Sequence, residues 1–579
     1  MTGGARAAKY VFFLVALLPG TYYLWGVRAA GYPFQWEKDQ PGYYNYLGRA
    51  FAAGHLYLPV EPSPLLLAQP DPWDPKTDDS VKLFDAVLFN RRYYLYHGAG
   101  PAVLLFAPYR LLTHRDLPEN FALFLFCFGG FLFSGGALLE LLRLAGVQCR
   151  APLLALLLLA LGFCQGVPFL LSRVWVYEVA VGGGYFCLAA AVFCLLRSWP
   201  SSNGRGLLWM SAGGLMFGLA VACRPHLAIA GAVAGLLIAV AGTRKQFLAY
   251  CVPLLLVGAC IATYNFARFG NPVEFGNSWI LSGANQGKLH LSPANVLPGL
   301  YYMLFARPVF SPVFPWVELP WPPRDFARPA GYILEQTLGA LWLAPFLIAL
   351  PLLFFARRNR TRLVLMVAAA TGILLFVTMT GWSTQRYEVD FLPLLVLATV
   401  AACAEVLATA GGLWGGLLKG VSGALIVCGC VVNLALGVSG PYWEMIRNKP
   451  LRFVKIAGWF SPVARYRPVL QPTLDVSFLV VIKAGPDHVR EPWVTAARYP
   501  WQYELYVEHV SGKPVLFSGY ADSVMTVAMQ EGPPGTVYRV HYTGPDGDMT
   551  VSRGGVEILR HRIGPLVTAP SQILVRAGN

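Results

Sequence analysis

Apolar runs of roughly 20 residues recur along positions 1–440, separated by short polar loops, and the pattern predicts a bundle of membrane-spanning helices. About eleven runs qualify on length and hydropathy: 10–29, 119–144, 151–167, 177–196, 207–223, 227–243, 247–265, 331–356, 363–381, 391–410 and 420–438. The first is too long, and too weakly followed by a small-residue cleavage site, for a removable signal peptide and reads as a retained helix. "FAPYRLL" (106–112) is apolar but short, and it fits a juxtamembrane helix lying in the interface. Beyond residue 440 the period changes. "VSFLVVIKA" (476–484), "QYELYVEHV" (502–510), "TVYRVHYTG" (536–544) and "SQILVRA" (571–577) alternate apolar and polar positions between turn signals, which predicts a small β-sandwich. The expected fold class is thus an α-helical polytopic membrane protein with a C-terminal exterior β-sandwich-like domain. Its divisions are a transmembrane domain 1–440 with large loops at 30–118 and 266–330, a connector 441–475 carrying Trp443 and Trp459, and a β-domain 476–579.

Composition agrees. Of 579 residues, 56% are hydrophobic and 13% charged, too apolar for a soluble chain of this length. The net charge of +15 would suggest nucleic acid in a soluble protein, but here the basic residues flank the apolar runs. Alternating the helices from Arg6 and Lys9 puts Arg143, Arg150, Arg197, Arg205, Arg244, Lys245, the "ARRNRTR" cluster (356–362) and Lys419 on one side. The positive-inside rule makes that side cytoplasmic. Residues 30–118, 266–330 and 439–579 then lie outside. The eleven cysteines sit in or beside apolar runs, so neither a disulfide framework nor a zinc site is implied.

Chemistry is expected at the exterior helix ends. Glu37 and Asp39 follow the first run, where a carboxylate would take a proton from an acceptor hydroxyl. The bland alternative makes them solvated loop acids, with Asp39 capping a helix that starts near Gly42. Arginines recur on the same side, against the positive-inside trend: Arg173 in "LSRVWVYE", Arg224 in "CRPH", Arg268 in "YNFARFGNPVEFGNSW" and Arg386 in "GWSTQRYEVDFLP". Together they would make a cationic phosphate site. Singly, each would pair with an acid such as Glu178, Glu274 or Asp390. Tyr43, Tyr44, Tyr93 and Tyr94 would stack on sugar or, more plainly, form part of the aromatic belt at the membrane interface.

In order and in topology these stretches resemble the C-type glycosyltransferase superfamily, multi-spanning enzymes that include protein O-mannosyltransferases and lipid A aminoarabinose transferases. "DQPGYYNYLGRAFAAGHLY" (39–57) is similar to the family's acid, tyrosine pair and small helix after the first span. "RRYYLYHGAGPAVLLFAPYRLL" (91–112) is similar to its juxtamembrane segment, and "SRVWVYE", "CRP", "NFARFGNPVEFG" and "QRYEVDFLP" follow in the same order. The resemblance spans roughly residues 1–410. It implies inverting transfer of a sugar from a polyprenyl-phosphate donor to a glycan, lipid or protein acceptor of the cell envelope, at the periplasmic face of a bacterial inner membrane. Asp39 matches the family's general base. Gln40 and Pro41 depart from the usual glycine, and Glu37 is close by, so the choice between the two acids stays open. The family needs no nucleotide and often no metal, and no cofactor is implied here; a divalent ion would want more oxygen ligands than can be assigned. The partners expected are the lipid-linked donor, the acceptor and membrane lipids, with no nucleic acid.

Two other classes remain. A proton-coupled transporter or flippase would use acids in or near the apolar runs, of which Glu140, Glu335 and Glu405 are the candidates. A glycan-binding tail would present Trp493, Trp501 and Tyr503 as a stacking platform, although these fit a sandwich core as well. His97, His226 and His290 show no metal-ligand spacing and read as ordinary polar residues.

Overall fold

The computed structural model describes residues 3–36, 39–77, 79–199, 203–283, 291–319, 326–460, 468–470, 473–480, 482, 486–496, 503–520, 523–529, 536–544, 547–564, 566–568 and 573–575. Glu37, His290 and Trp501 lie outside them. The chain divides into two compact units, residues 1–309 with 319–441, and residues 310–318 with 442–579.

The first unit is a multi-pass helical membrane domain. Among the described residues nine helices have the length and apolarity to cross a bilayer. They are Arg6–Ala29, Glu119–Ala145, Ala151–Leu170, Val176–Ser198, Gly204–Cys223, Arg244–Phe269, Arg360–Met379, Gln385–Ala408 and the helix that begins at Gly412 and stays regular to Ser439.

Two of the expected spans differ. The run at 227–243 forms the 14-residue helix Ala228–Ala241, about 21 Å long and short of a hydrocarbon core near 30 Å. The run at 331–356 is no helix of spanning length. Ile333–Leu334 pairs as a strand with Trp382–Ser383, Ala340–Leu343 makes a single turn, and Pro345–Phe354 winds as a 3-10 helix. Pro345 and Pro351 supply no backbone N–H, which keeps that stretch from closing regular α-turns.

Side chains tie the basic loops together at one end of this unit. Glu140 accepts from Arg143 and Arg197, joining the last turns of two helices. Arg358 donates to the Ala145 carbonyl, Asn359 to that of Leu141, and Glu405 accepts from the Arg358 backbone N–H.

At the other end are the short elements of the first long loop. The Tyr43–Ala52 helix, the Ala86–Phe89/Arg92–Leu95 hairpin and the helical segment Ala102–Thr113 gather there. Asn90 and Arg91 both take positive φ (48° and 60°), the geometry of a type I′ turn. At about 18 Å the 102–113 segment is too short to span a bilayer.

The second unit contains two antiparallel sheets. One orders Ser523–Ala528, Lys513–Tyr520, Tyr503–Val510, Arg490–Ala496 and Ile573–Val575; the other orders Val556–Arg562, Asp548–Arg553, Val537–Thr543 and Thr473–Leu479. Their inward residues share one core, in which Trp493 lies 4.9 Å from Tyr538 and 5.8 Å from Phe478. Trp493 and Tyr503 are 1% and 0% exposed, so neither offers a face to a sugar.

Candidate active site

The site grows from the loop that enters the Gln385–Ala408 helix. Gly381 takes φ +71° to turn the chain, and a side chain there would run into the Asn295 amide. The short Trp382–Ser383 strand then sets the next residues against Glu335. The Glu335 carboxylate accepts from the Trp382 indole (3.0 Å), the Thr384 hydroxyl (2.9 Å) and both terminal nitrogens of Arg386 (2.7 and 3.0 Å). Burial pushes this carboxyl up, but Arg386 and the neutral donors outweigh it and hold it below the usual glutamate range. The Arg386 guanidinium lies 4.4 Å from the Tyr177 ring centre, and the Tyr177 hydroxyl donates to Asp85.

Beside it is a second fixed cation. Arg224 reaches Asp390 through Nε (3.3 Å) and Nη2 (2.6 Å), and His226 Nε2 meets the same carboxylate at 3.0 Å. His97 is buried edge-on to Tyr177, with ring centres 4.9 Å apart. Burial first, then the charges of Arg224 and Arg386, push its imidazole down to about 3, so it is neutral at physiological pH. Tyr96, His97, Arg224, His226, Trp382 and Tyr387, with Phe275, Phe376 and Val377, line a cavity of ≈ 420 Å³.

The four arginines singled out from the sequence therefore do not form a free cationic cluster. Arg386 is bound by Glu335 and Arg224 by Asp390; Arg173 lies against the Trp175 ring (4.1 Å) within electrostatic reach of Glu178. Arg268 is buried away from the cavity lining, donating to the Leu95 carbonyl (2.9 Å) and the Asn265 amide oxygen (2.7 Å), which fixes the hairpin.

Tyr43, Tyr44, Tyr93 and Tyr94 hold the scaffold and are not among the residues that line the cavity. Tyr43 donates to the Phe84 carbonyl and Tyr44 to that of Gly98. The Tyr93 hydroxyl accepts from the Leu83 N–H, and Tyr94 packs on Phe269.

Asp39 pairs with arginines other than Arg386. Its carboxylate meets Arg110 at 3.2 Å and Arg49 at 3.7 Å, while both arginines also bind the buried Asp116. The Asp39 side chain stays 56% exposed. It caps no helix: the N-cap position is Gly42, and the Glu119 carboxylate accepts from the Tyr44 N–H at 3.0 Å. Arg49 and Arg110 line a second cavity of ≈ 370 Å³ with His55 and Tyr57.

Glu335, His97, Asp85 and the His226–Asp390 contact were not put at the site from sequence. One signal was present in "HGAG". A side chain at Gly98 would run into the Ala222 carbonyl and one at Gly100 into Cys223, so both glycines let the His97 loop close onto the end of the Gly204–Cys223 helix. Among the described residues no group of three His, Cys, Asp or Glu side chains is placed to hold a metal.

The fold and site together define a multi-pass membrane protein with a polar, ion-paired cavity at one end of its helices. No family model matches the chain, and no curated protein does. Solved structures similar to it include ArnT from Cupriavidus metallidurans bound to undecaprenyl phosphate, at 13% identity over 78% of this chain and 79% of that one, with a TM-score of 0.39. The apo form of the same protein gives 0.37. An oligosaccharyltransferase, AglB from Archaeoglobus fulgidus, matches at 13% identity over 75% of this chain and 56% of its own, also with a TM-score of 0.37. Both proteins are C-type glycosyltransferases. Likenesses this distant say nothing about individual residues.

Proposed function

We propose that the chain is an integral membrane glycosyltransferase. It moves a sugar from a polyprenyl-phosphate donor to a cell-envelope acceptor, with inversion, at the periplasmic face of a bacterial inner membrane. The observation that carries this reading is the composition of the ≈ 420 Å³ cavity. A sugar phosphate on a lipid needs fixed N–H donors for the phosphate, polar and aromatic groups for the sugar, and an apolar wall where the carrier begins. Arg224 and His226 are already oriented by Asp390, Tyr96 and His97 supply polar groups, and Phe275, Phe376 and Val377 supply the wall. The Arg224 bonds run from Nε and Nη2, which leaves Nη1 for a phosphate oxygen. The order of the motifs from Asp39 to Pro393 supports the same class.

Asp39 is the candidate base, its exposed carboxylate held by Arg49 and Arg110, with the ≈ 370 Å³ cavity beside those arginines as candidate acceptor site. A second reading gives the proton to His226, because His226 lines the donor cavity, Asp39 does not, and Asp390 orients the imidazole. The transport reading loses its acids. Glu335 lies outside any helix, and Glu140 and Glu405 are engaged at the basic end of the bundle.

The test is transfer of radiolabelled sugar in vesicles supplied with a panel of polyprenyl-phosphate sugars. Wild type transfers, Arg224→Gln raises the donor KM, and Asp39→Asn abolishes transfer while remaining folded. If Asp39→Asn stays active and His226→Gln is dead, the base is His226. A wild type that transfers from no donor on the panel refutes the reading.

A further inference from the structure

A third cavity, of ≈ 320 Å³, has walls supplied by the Val176–Ser198, Gly204–Cys223, Ala228–Ala241 and Arg360–Met379 helices, and the transfer reaction makes no use of it. Its walls are apolar, typified by Val192, Phe217, Leu237 and Met366, and the charged groups on it are Arg358 and Arg362. Both belong to the end where the basic loops gather. Val233, Ala234 and Leu237 are half-buried and Thr361 is exposed, so the cavity opens to the outside of the bundle.

Among the described residues neither guanidinium hydrogen-bonds to a carboxylate, although Glu405 lies within electrostatic reach of Arg362. Arg358 donates to the Ala145 carbonyl, and Arg362 to the Arg358 carbonyl (3.2 Å) and the Asn359 amide oxygen (3.3 Å). The neighbouring acid, Glu405, gives its Oε1 to the Arg358 backbone N–H at 2.8 Å. Two positive charges held by neutral oxygens at the rim of an apolar cleft complement an amphiphile with an anionic head. Arginine pairs bind phosphate oxygens well, and basic pockets between helices on the cytoplasmic side suit anionic lipid head groups.

We propose that this cavity holds an acyl chain of one anionic glycerophospholipid, with the lipid phosphate between Arg358 and Arg362. A zwitterionic choline lipid fits worse, because its quaternary ammonium would be brought toward the same arginines. The site is independent of sugar transfer, so it is tested by lipid retention.

Full-length protein in detergent micelles is incubated with phosphatidylglycerol, phosphatidylcholine or undecaprenyl phosphate, and bound lipid is counted by native mass spectrometry. One phosphatidylglycerol is retained roughly tenfold over phosphatidylcholine. Arg362→Gln removes that preference. Ala234→Phe, which fills the apolar part and leaves both arginines in place, releases the lipid, with helicity unchanged by circular dichroism. Equal retention of the two phospholipids, wild-type retention in both variants, or stoichiometric displacement of phosphatidylglycerol by undecaprenyl phosphate would overturn the assignment.

Discussion

Removing the Glu335 carboxylate should destabilise the helical unit, because it leaves the buried Arg386 guanidinium without its counter-ion. Arg386 is 9% exposed at its side chain and Glu335 19%, so the pair is largely out of water. Deleting one partner of a buried pair costs about 3–5 kcal/mol, because the other charge is left without its counter-ion. The remaining exposure of Glu335, and Glu178 within electrostatic reach of Arg386, put Glu335→Ala at the lower end, about 3 kcal/mol. Glu335→Gln keeps one of the two oxygens, enough for either Trp382 or Thr384, and should cost about half of that. Membrane proteins rarely refold after heating, so the assay is the half-life of folded protein in micelles at one fixed temperature. About 3 kcal/mol carried by the unfolding rate shortens it on the order of 100-fold, and Glu335→Gln shortens it roughly tenfold. Because the folded carboxyl titrates below its unfolded value, its contribution is present in full above the unfolded value and is lost as pH falls through the folded one. The wild-type half-life should therefore drop through that acid range by a step that Glu335→Gln lacks. An Ala variant within twofold of wild type would refute the pairing as a source of stability.

His97 reverses the roles of the charged and neutral forms. Its folded value of about 3 lies below the unfolded one near 6.5, so the unfolded chain binds the extra proton between them and stability falls below pH of about 6.5. The loss is about 1.4 kcal/mol per pH unit, about 2 kcal/mol by pH 5, and His97→Gln should flatten the half-life profile over that range. Gly98→Ala should cost about 1–3 kcal/mol by driving a methyl group into the Ala222 carbonyl, whereas Gly258→Ala, with open space around it, should leave the half-life unchanged. Asp390→Asn removes the counter-charge from Arg224 and the orienting group from His226. Donor KM should rise and kcat fall, and a KM equal to that of wild type would show that Asp390 does not orient Arg224 for the phosphate.

The spans were legible because a run of about 20 apolar residues is the length a bilayer demands and is seldom needed in a water-soluble core. One exception carried a local warning: Pro345 and Pro351 stand six residues apart inside the run that became strand and 3-10 helix. The run at 227–243 carried none, being as long as the 151–167 and 207–223 runs that form spanning helices. The arginines stood out by lying on the wrong side of the charge trend. Asp390 and Glu178 were among the acids named as partners, but which acid meets which arginine was not legible, because Glu335 is 51 residues from Arg386 and Asp390 is 166 from Arg224. Nothing local in a sequence reports such a pairing. The same distance hid the helix cap. Asp39 has the residue type and the spacing for an N-cap, yet Glu119, 75 residues downstream of Tyr44, takes that role, and Asp39 turns to Arg49 and Arg110. The tyrosines read more plainly as interfacial residues than as sugar ligands, and the hydrogen bonds of Tyr43 and Tyr44 to backbone carbonyls give them a structural task.

Matched acids change how the cavity would handle a phosphate. Arg224, the arginine that lines the cavity, was oriented at folding, at the expense of burying Asp390 with it, so its guanidinium plane needs no reorganisation when an anion arrives. Net charge near the site is correspondingly low, and attraction over long distances would be weak. The bilayer-anchored donor proposed above would not need that attraction, since anchoring reduces its search to two dimensions. Ion-paired arginines are therefore a coherent arrangement for a lipid-borne substrate. For a soluble anion captured from bulk water, whose encounter rate depends on the field the site projects, they would be a poor one.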